Sequence, residues 1–129
     1  MTPTEVAKTA YAAFNAGDIE TILPLMNPTI EWTETAGYKY GGRFHSPQEI
    51  VRGVFAKVPE VYESFSVEID RLIDAGDIIV TQGHYVATGK ATGKSTRAAV
   101  AHVIQVADGK IVRFDQYVDS ATLNAIIGA

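Results

Sequence analysis

A chain of 129 residues with 47% hydrophobic side chains suits one domain around one core and is too apolar for a disordered segment. Its formal net charge of −4, with Lys and Arg scattered along the chain, excludes the basic stripe that a nucleic-acid backbone or an anionic membrane surface requires. The absence of cysteine excludes disulfides, thiolate metal sites and cysteine nucleophiles.

Thr2-Pro3-Thr4-Glu5 reads as a helix start, with Thr2 as cap, Pro3 at the first helical position and Glu5 completing a capping box. Ala7, Tyr11 and Phe14 then recur at helical spacing, and Gly17 stops the helix. Asp18 caps a short second helix, Ile19 to Met26, strained by Pro24. Ile30 to Glu34 reads as a strand, and residues 35 to 45 as an irregular loop with room for a short strand. Ser46-Pro47-Gln48-Glu49 is a second capping box; Ile50, Val51, Val54, Phe55 and Val58 give the next helix its apolar face, and Pro59 is expected to end it.

Three long β segments follow. Phe65, Val67 and Ile69 alternate with polar residues in the first, Ile78 to Thr88 is the second, and Thr96 to Val106 is the third. Ala107-Asp108-Gly109 turns into a strand from Lys110 to Val118, and Asp119 or Ser120 caps a last short helix through Ile127. Helices first and hairpins afterwards predict an α+β domain over 1–129: a cone-shaped, curved, largely antiparallel (mixed) sheet packed on three helices of the N-terminal half, with a short C-terminal helix. No apolar stretch reaches the about 18 residues of a membrane span, and the N-terminus lacks a signal-peptide pattern, so a cytoplasmic protein is expected.

The last hairpin decides which side chains face the helices. A three-residue loop with a bulge at Gly109 would pair Val106 with Lys110, Ile104 with Val112, His102 with Phe114 and Val100 with Gln116. Those residues form an apolar stripe interrupted by His102 and Gln116, whereas a two-residue loop would mix apolar and charged residues on both sides. His102 and Gln116 are therefore expected on the concave side, where buried polar groups need partners or a purpose. The opposite side, with Ala101, Val103 and Tyr117 beside Arg113 and Asp115, is still fairly apolar, which predicts a homodimer through it.

These features resemble a known family. Phe14-Asn15-Ala16-Gly17-Asp18, the Asn27-Pro28-Thr29-Ile30-Glu31 segment, the Asp108-Gly109-Lys110-Ile111-Val112 turn and the Tyr117-Val118-Asp119 ending are similar to steroid delta-isomerase and SnoaL-like proteins of the nuclear-transport-factor-2-like superfamily. The resemblance spans nearly the whole chain and speaks for fold more than for activity. It implies that the isomerases' first-helix tyrosine is replaced by Ala10, their basic aspartate by Trp32 and their second oxyanion donor by His102. Gln116 stands where the SnoaL cyclases and limonene-epoxide hydrolases carry a catalytic aspartate. Neither mechanism transfers with its residues intact.

The remaining residues suggest acid–base chemistry without cofactor or metal: an isomerase, cyclase or hydratase reaction on a small apolar carbonyl compound. Glu34 shares a strand side with Trp32, so an apolar pocket would raise its pKa into the range of a useful base. His102 would donate to a developing oxyanion or exchange a proton, and Gln116 would orient a carbonyl or water. Phe14, Trp32, Tyr38, Tyr40, Phe55, Tyr85 and Phe114 are the candidate ligand-binding residues, with His45 in the same covering loop as Tyr38 and Tyr40. Plainer readings stand beside these: a solvated Glu34 at a strand end, a core His102 bonded to Gln116, aromatic residues that only fill the interior, and Asp119 as a helix cap. A pocket that binds without chemistry and a plain dimeric interaction domain are the alternative functions. Gly89 to Ser95 is one residue short of a phosphate-binding loop and precedes a strand, and His45, His84 and His102 lack metal-ligand spacing.

Overall fold

The computed structural model describes residues 1–128. Helix α1 spans Pro3–Asn15 and opens on the expected capping box, with Thr2 Oγ1 accepting from Glu5 N at 3.1 Å and Thr2 N donating back to Glu5 Oε1 at 2.9 Å. Helix α2 is Ile19–Ile22, capped by Asp18, and continues as a 3₁₀ turn over Leu23–Leu25. The predicted helix through Met26 is thus shortened by one residue. Pro24 lies at the start of the tighter turn, where its missing N–H removes no helical bond, and Met26 begins the sheet.

Strand β1 runs Met26–Glu34, longer than the expected Ile30 to Glu34. Its pairing shifts between Met26 and Glu31, and Pro28 sits in that irregular stretch, where no ladder donor is required. The loop after β1 contains the short strand β2, Gly42–Phe44. The third helical stretch has three parts: α3 over Pro47–Ile50, a wide π turn over Val51–Phe55, and α4 over Lys57–Val61. Pro59 was expected to end this helix but lies within it. The wide turn, in which Ala56 N donates to Val51 O at 2.7 Å, restarts the helix at Lys57, so Pro59 falls in a first turn.

Strands β3 (Tyr62–Ala75), β4 (Ile78–Gly89), β5 (Ser95–Ala107) and β6 (Lys110–Val118) follow, and helix α5 (Ser120–Asn124) closes the domain. Asp119 caps α5 through Thr122, as its position predicted. The six strands form one sheet in the order β2-β1-β6-β5-β4-β3, antiparallel except where β1 lies parallel to β6. A bulge in β3 between Ile69 and Arg71 bends the sheet around the helices, and Gly83 faces it because any Cβ there would strike the Glu68 carbonyl.

The last hairpin differs from the expected register. Ala107 pairs with Lys110 across a two-residue turn in which Asp108 and Gly109 have φ of 52° and 73°. Val106 then pairs with Ile111, Ile104 with Phe114, His102 with Gln116 and Val100 with Val118, because a bulge leaves Val112 as the extra residue. That bulge restores the parity a two-residue turn would have broken. Ile111 faces inward in place of Val112, while His102, Phe114 and Gln116 keep the predicted concave orientation.

Two apolar clusters meet on the concave side. One gathers Ile30, Trp32, Phe55, Ile104, Ile111 and Phe114 with α1, and the other gathers Tyr38, Tyr62, Val67, Tyr85 and Leu123. Tyr11 and Phe14 of α1 touch both, so the first helix lies over the seam where the cavity opens. No helix among the described residues is long and apolar enough to cross a membrane.

Candidate functional site

A cavity of about 90 Å³ lies between the helices and the concave face of the sheet. Its walls contain every residue assigned a catalytic or ligand-binding role from the sequence: Glu34, His102 and Gln116 among the polar ones, and Phe14, Trp32, Phe55 and Phe114 among the apolar ones. Tyr38, Tyr40 and Tyr85 line it as well, whereas His45 is exposed and takes no part. Parallel pairing sets Trp32 of β1 beside Phe114 of β6, and their rings stack with centroids 3.8 Å apart. Phe55, aimed inward by the π turn, meets Trp32 edge-on at 5.7 Å.

Glu34 follows Trp32 by two strand positions, so the pleat brings both to the same wall, 6% and 7% exposed. The Trp32 indole donates to Glu34 Oε2 at 3.1 Å and the Gln116 amide donates to Oε1 at 3.2 Å. No cation pairs with the carboxylate among the described residues. Burial pushes its pKa up to about 7 against the opposing pull of these two donors. A carboxylate at that value is half ionised near neutral pH.

Gln116 is oriented by the backbone. Thr35 N donates to its Oε1 at 3.0 Å, which turns its amide NH₂ toward Glu34 and toward the Tyr85 hydroxyl at 2.9 Å. The Tyr85 hydroxyl lies 2.7 Å from His102 Nε2, the Tyr11 hydroxyl 2.7 Å from His102 Nδ1, and the Tyr11 hydroxyl 2.6 Å from Thr81 Oγ1. Burial lowers the His102 pKa to about 3, so the ring is neutral and carries one N–H. One assignment gives every proton in this chain except that of the terminal Thr81 hydroxyl an acceptor. Gln116 donates to Tyr85, Tyr85 to His102 Nε2, His102 Nδ1–H to Tyr11, and Tyr11 to Thr81.

His102 therefore presents neither nitrogen to the cavity directly; both are occupied by phenols. Sequence reading did not find Tyr11 as a partner. It placed Ala10 at the helix's functional position and counted Tyr11 only in the apolar stripe. A tyrosine on such a stripe needs a partner for its hydroxyl, and that was the available signal. Tyr62 was also missed; its hydroxyl lies 2.6 Å from that of Tyr38.

Tyr38 and Tyr40 sit on a loop fastened to the end of the chain. Asn124 of α5 donates to Gly37 O and accepts from Lys39 N, both at 2.9 Å. Lys39 and Lys57 lie 5.8 and 5.7 Å from the centre of the Tyr40 ring at the rim. Among the described residues no three His, Asp or Glu side chains converge as a metal site would need.

The cone of helices on a mixed sheet, with polar side chains lining its interior, is the NTF2-like architecture. An NTF2-like protein from Burkholderia thailandensis shares 37% identity and superposes with a TM-score of 0.94, over 100% of this chain and 99% of that one. An NTF2-like protein of unknown function from Burkholderia pseudomallei shares 26% identity with a TM-score of 0.90, over 98% of both chains. TerC co-crystallised with polyporic acid shares 27% identity with a TM-score of 0.88, again over 98% of both chains. Residues 7–114 match the SnoaL-like domain, and the chain belongs to that family. No curated protein matches it.

Proposed function

We propose that the cavity binds a small, mostly apolar carbonyl compound and that Glu34 moves a proton at the carbon beside the carbonyl. The observation that carries this reading is a buried carboxylate without a cationic partner on an aromatic cavity wall. Glu34 takes the proton, the C–H electron pair moves into the carbonyl to give an enolate, and return of a proton at another carbon completes an isomerisation. Attack of the enolate on a second carbonyl makes the same step a cyclisation; if Glu34 instead takes a proton from water, the water oxygen bonds to the carbonyl carbon, the carbonyl oxygen receives the proton, and the reaction is a hydration. The co-crystallisation of TerC with polyporic acid supports a small-molecule ligand. His102 acts as a positioning residue, because its neutral ring holds the Tyr85 hydroxyl that in turn holds Gln116 against Glu34.

The test is uptake of deuterium beside the carbonyl of small cyclic ketones in D₂O, followed by NMR. The native protein is expected to accelerate exchange, with a rate rising through about pH 7 as Glu34 ionises. Glu34→Gln is expected to lose about 10²- to 10⁴-fold, the usual worth of a positioned base. Equal exchange by Glu34→Gln and the native protein would sink the assignment. A second reading, capture of a ligand without chemistry, is favoured by the polar chain being complete within the protein. Saturable ketone binding with no exchange above the buffer rate would select it.

We also propose that a second copy of the chain covers the outer side of the sheet. Ala101, Val103 and Val80 lie there only partly buried, and Tyr117 is 60% exposed. Sedimentation is expected to show a dimer that Tyr117→Glu converts to monomer; a monomeric native protein at micromolar concentration would refute it.

A further inference from the structure

The proposed chemistry needs a place for the ligand's oxygen, and the polar chain that runs from Gln116 to Thr81 does not supply one, because in the assignment above its spare proton lies on Thr81, which is outside the cavity wall. A second pair of groups remains. Tyr38 comes from the loop after β1 and Tyr62 opens β3, yet their hydroxyl oxygens meet at 2.6 Å in the wall of the cavity. Both side chains are buried, at 9% and 3% exposure. Two hydroxyls bring two protons, and one hydrogen bond between them uses one. Among the described residues neither hydroxyl has any other partner. Whichever phenol donates to the other, one O–H is left over in the cavity. The phenol that accepts is polarised by the bond it receives, which makes its own proton a better donor.

We propose that the Tyr38–Tyr62 pair is the binding site for a carbonyl or enolate oxygen of the ligand, in the same cavity as Glu34. The ligand class that follows, a small cyclic ketone or its enol with an acidic C–H beside the oxygen, rests on the reading of Glu34 as a base. The oxygen site itself stands on the proton count. Burial, with Glu34's charge adding to it, holds both phenols protonated and pushes the Tyr62 pKa up to about 12. They remain donors under conditions in which Glu34 has already lost its proton.

The experiment compares 1-indanone with indane, which has the same fused rings and no oxygen. Binding is followed by quenching of Trp32, the chain's single tryptophan, at pH 9. Glu34 is ionised there and cannot donate. The native protein is expected to prefer the ketone about tenfold, the worth of one good hydrogen bond in a buried site. The Tyr38→Phe/Tyr62→Phe double variant is expected to lose the preference or invert it, while still binding indane. Each single variant keeps one phenol and is expected to retain part of the preference. Lys57→Met is expected to leave it unchanged, since the Lys57 ammonium, the cationic donor at the rim, is engaged by Glu60 at 3.4 Å.

Retention of the full preference in the double variant overturns the proposal, as does its loss in Lys57→Met. A native protein that does not favour the ketone, whether it binds both probes alike or neither, overturns it as well. Glu34→Gln separates this outcome from failure of the base assignment. A preference that persists in Glu34→Gln, with deuterium exchange also unchanged, leaves the oxygen site standing and removes only the base.

Discussion

Replacing Glu34 by glutamine is expected to change the pH dependence of stability rather than only shift it. Two buried groups titrate with opposite signs. Burial raises Glu34 from 4.5 to about 7, so between those values the folded chain holds a proton that the unfolded chain does not, and stability falls as pH rises through that window. Burial lowers His102 from 6.5 to about 3, so between those values the unfolded chain holds the extra proton, and stability falls as pH drops. At 1.36 kcal/mol per pKa unit the full effects are about 3 and about 5 kcal/mol. From about pH 6.5 to 4.5 the two cancel, so the native protein should show a plateau there and lose stability below it. In Glu34→Gln the compensating arm is gone. Urea unfolding should then show stability falling from pH 6.5 downward, by about 3 kcal/mol at pH 4. Parallel curves for variant and native protein would mean that Glu34 ionises in the fold with an ordinary pKa.

The second large effect is the mirror image. His102→Leu fills a similar space with an apolar side chain and removes the acceptor and donor that Tyr85 and Tyr11 share. At pH 7 the loss is expected to be about 3 kcal/mol, the cost of two buried phenols each losing a partner. On acidification from pH 7 to 4.5 the variant should gain about 3 kcal/mol, because Glu34 protonation is no longer offset. Native protein and His102→Leu should therefore approach each other in stability toward pH 4.5 and below. A gap between them that stays constant from pH 8 to 4 would show that the imidazole is protonated as easily in the fold as in water.

The sequence carried the architecture further than the contacts. Strand parity was enough to put Glu34 beside Trp32, since the pleat turns every second side chain to one wall. The β5–β6 register was harder because Ile111 and Val112 are both apolar and β-branched. Alternation alone does not say which of them is the bulge residue. The deciding feature was Asp108 in the left-handed region, a conformation that non-glycine residues seldom adopt. The phenol partners were hidden for a different reason. Tyr11 meets Thr81 and His102 across 70 and 91 residues of sequence, and Tyr38 meets Tyr62 across 24. Composition and spacing report which side of an element a hydroxyl lies on, but not which distant group it finds there.

The Asn124 bridge to Gly37 and Lys39 has a consequence for the order in which the molecule matures. A chain emerging from the ribosome through Val118 already has all six strands and the Glu34–Gln116 contact within reach. It still lacks the tether that steadies the segment bearing Tyr38 and Tyr40. The segment that carries Tyr38 and Tyr40 is thus fastened last, after the sheet is complete.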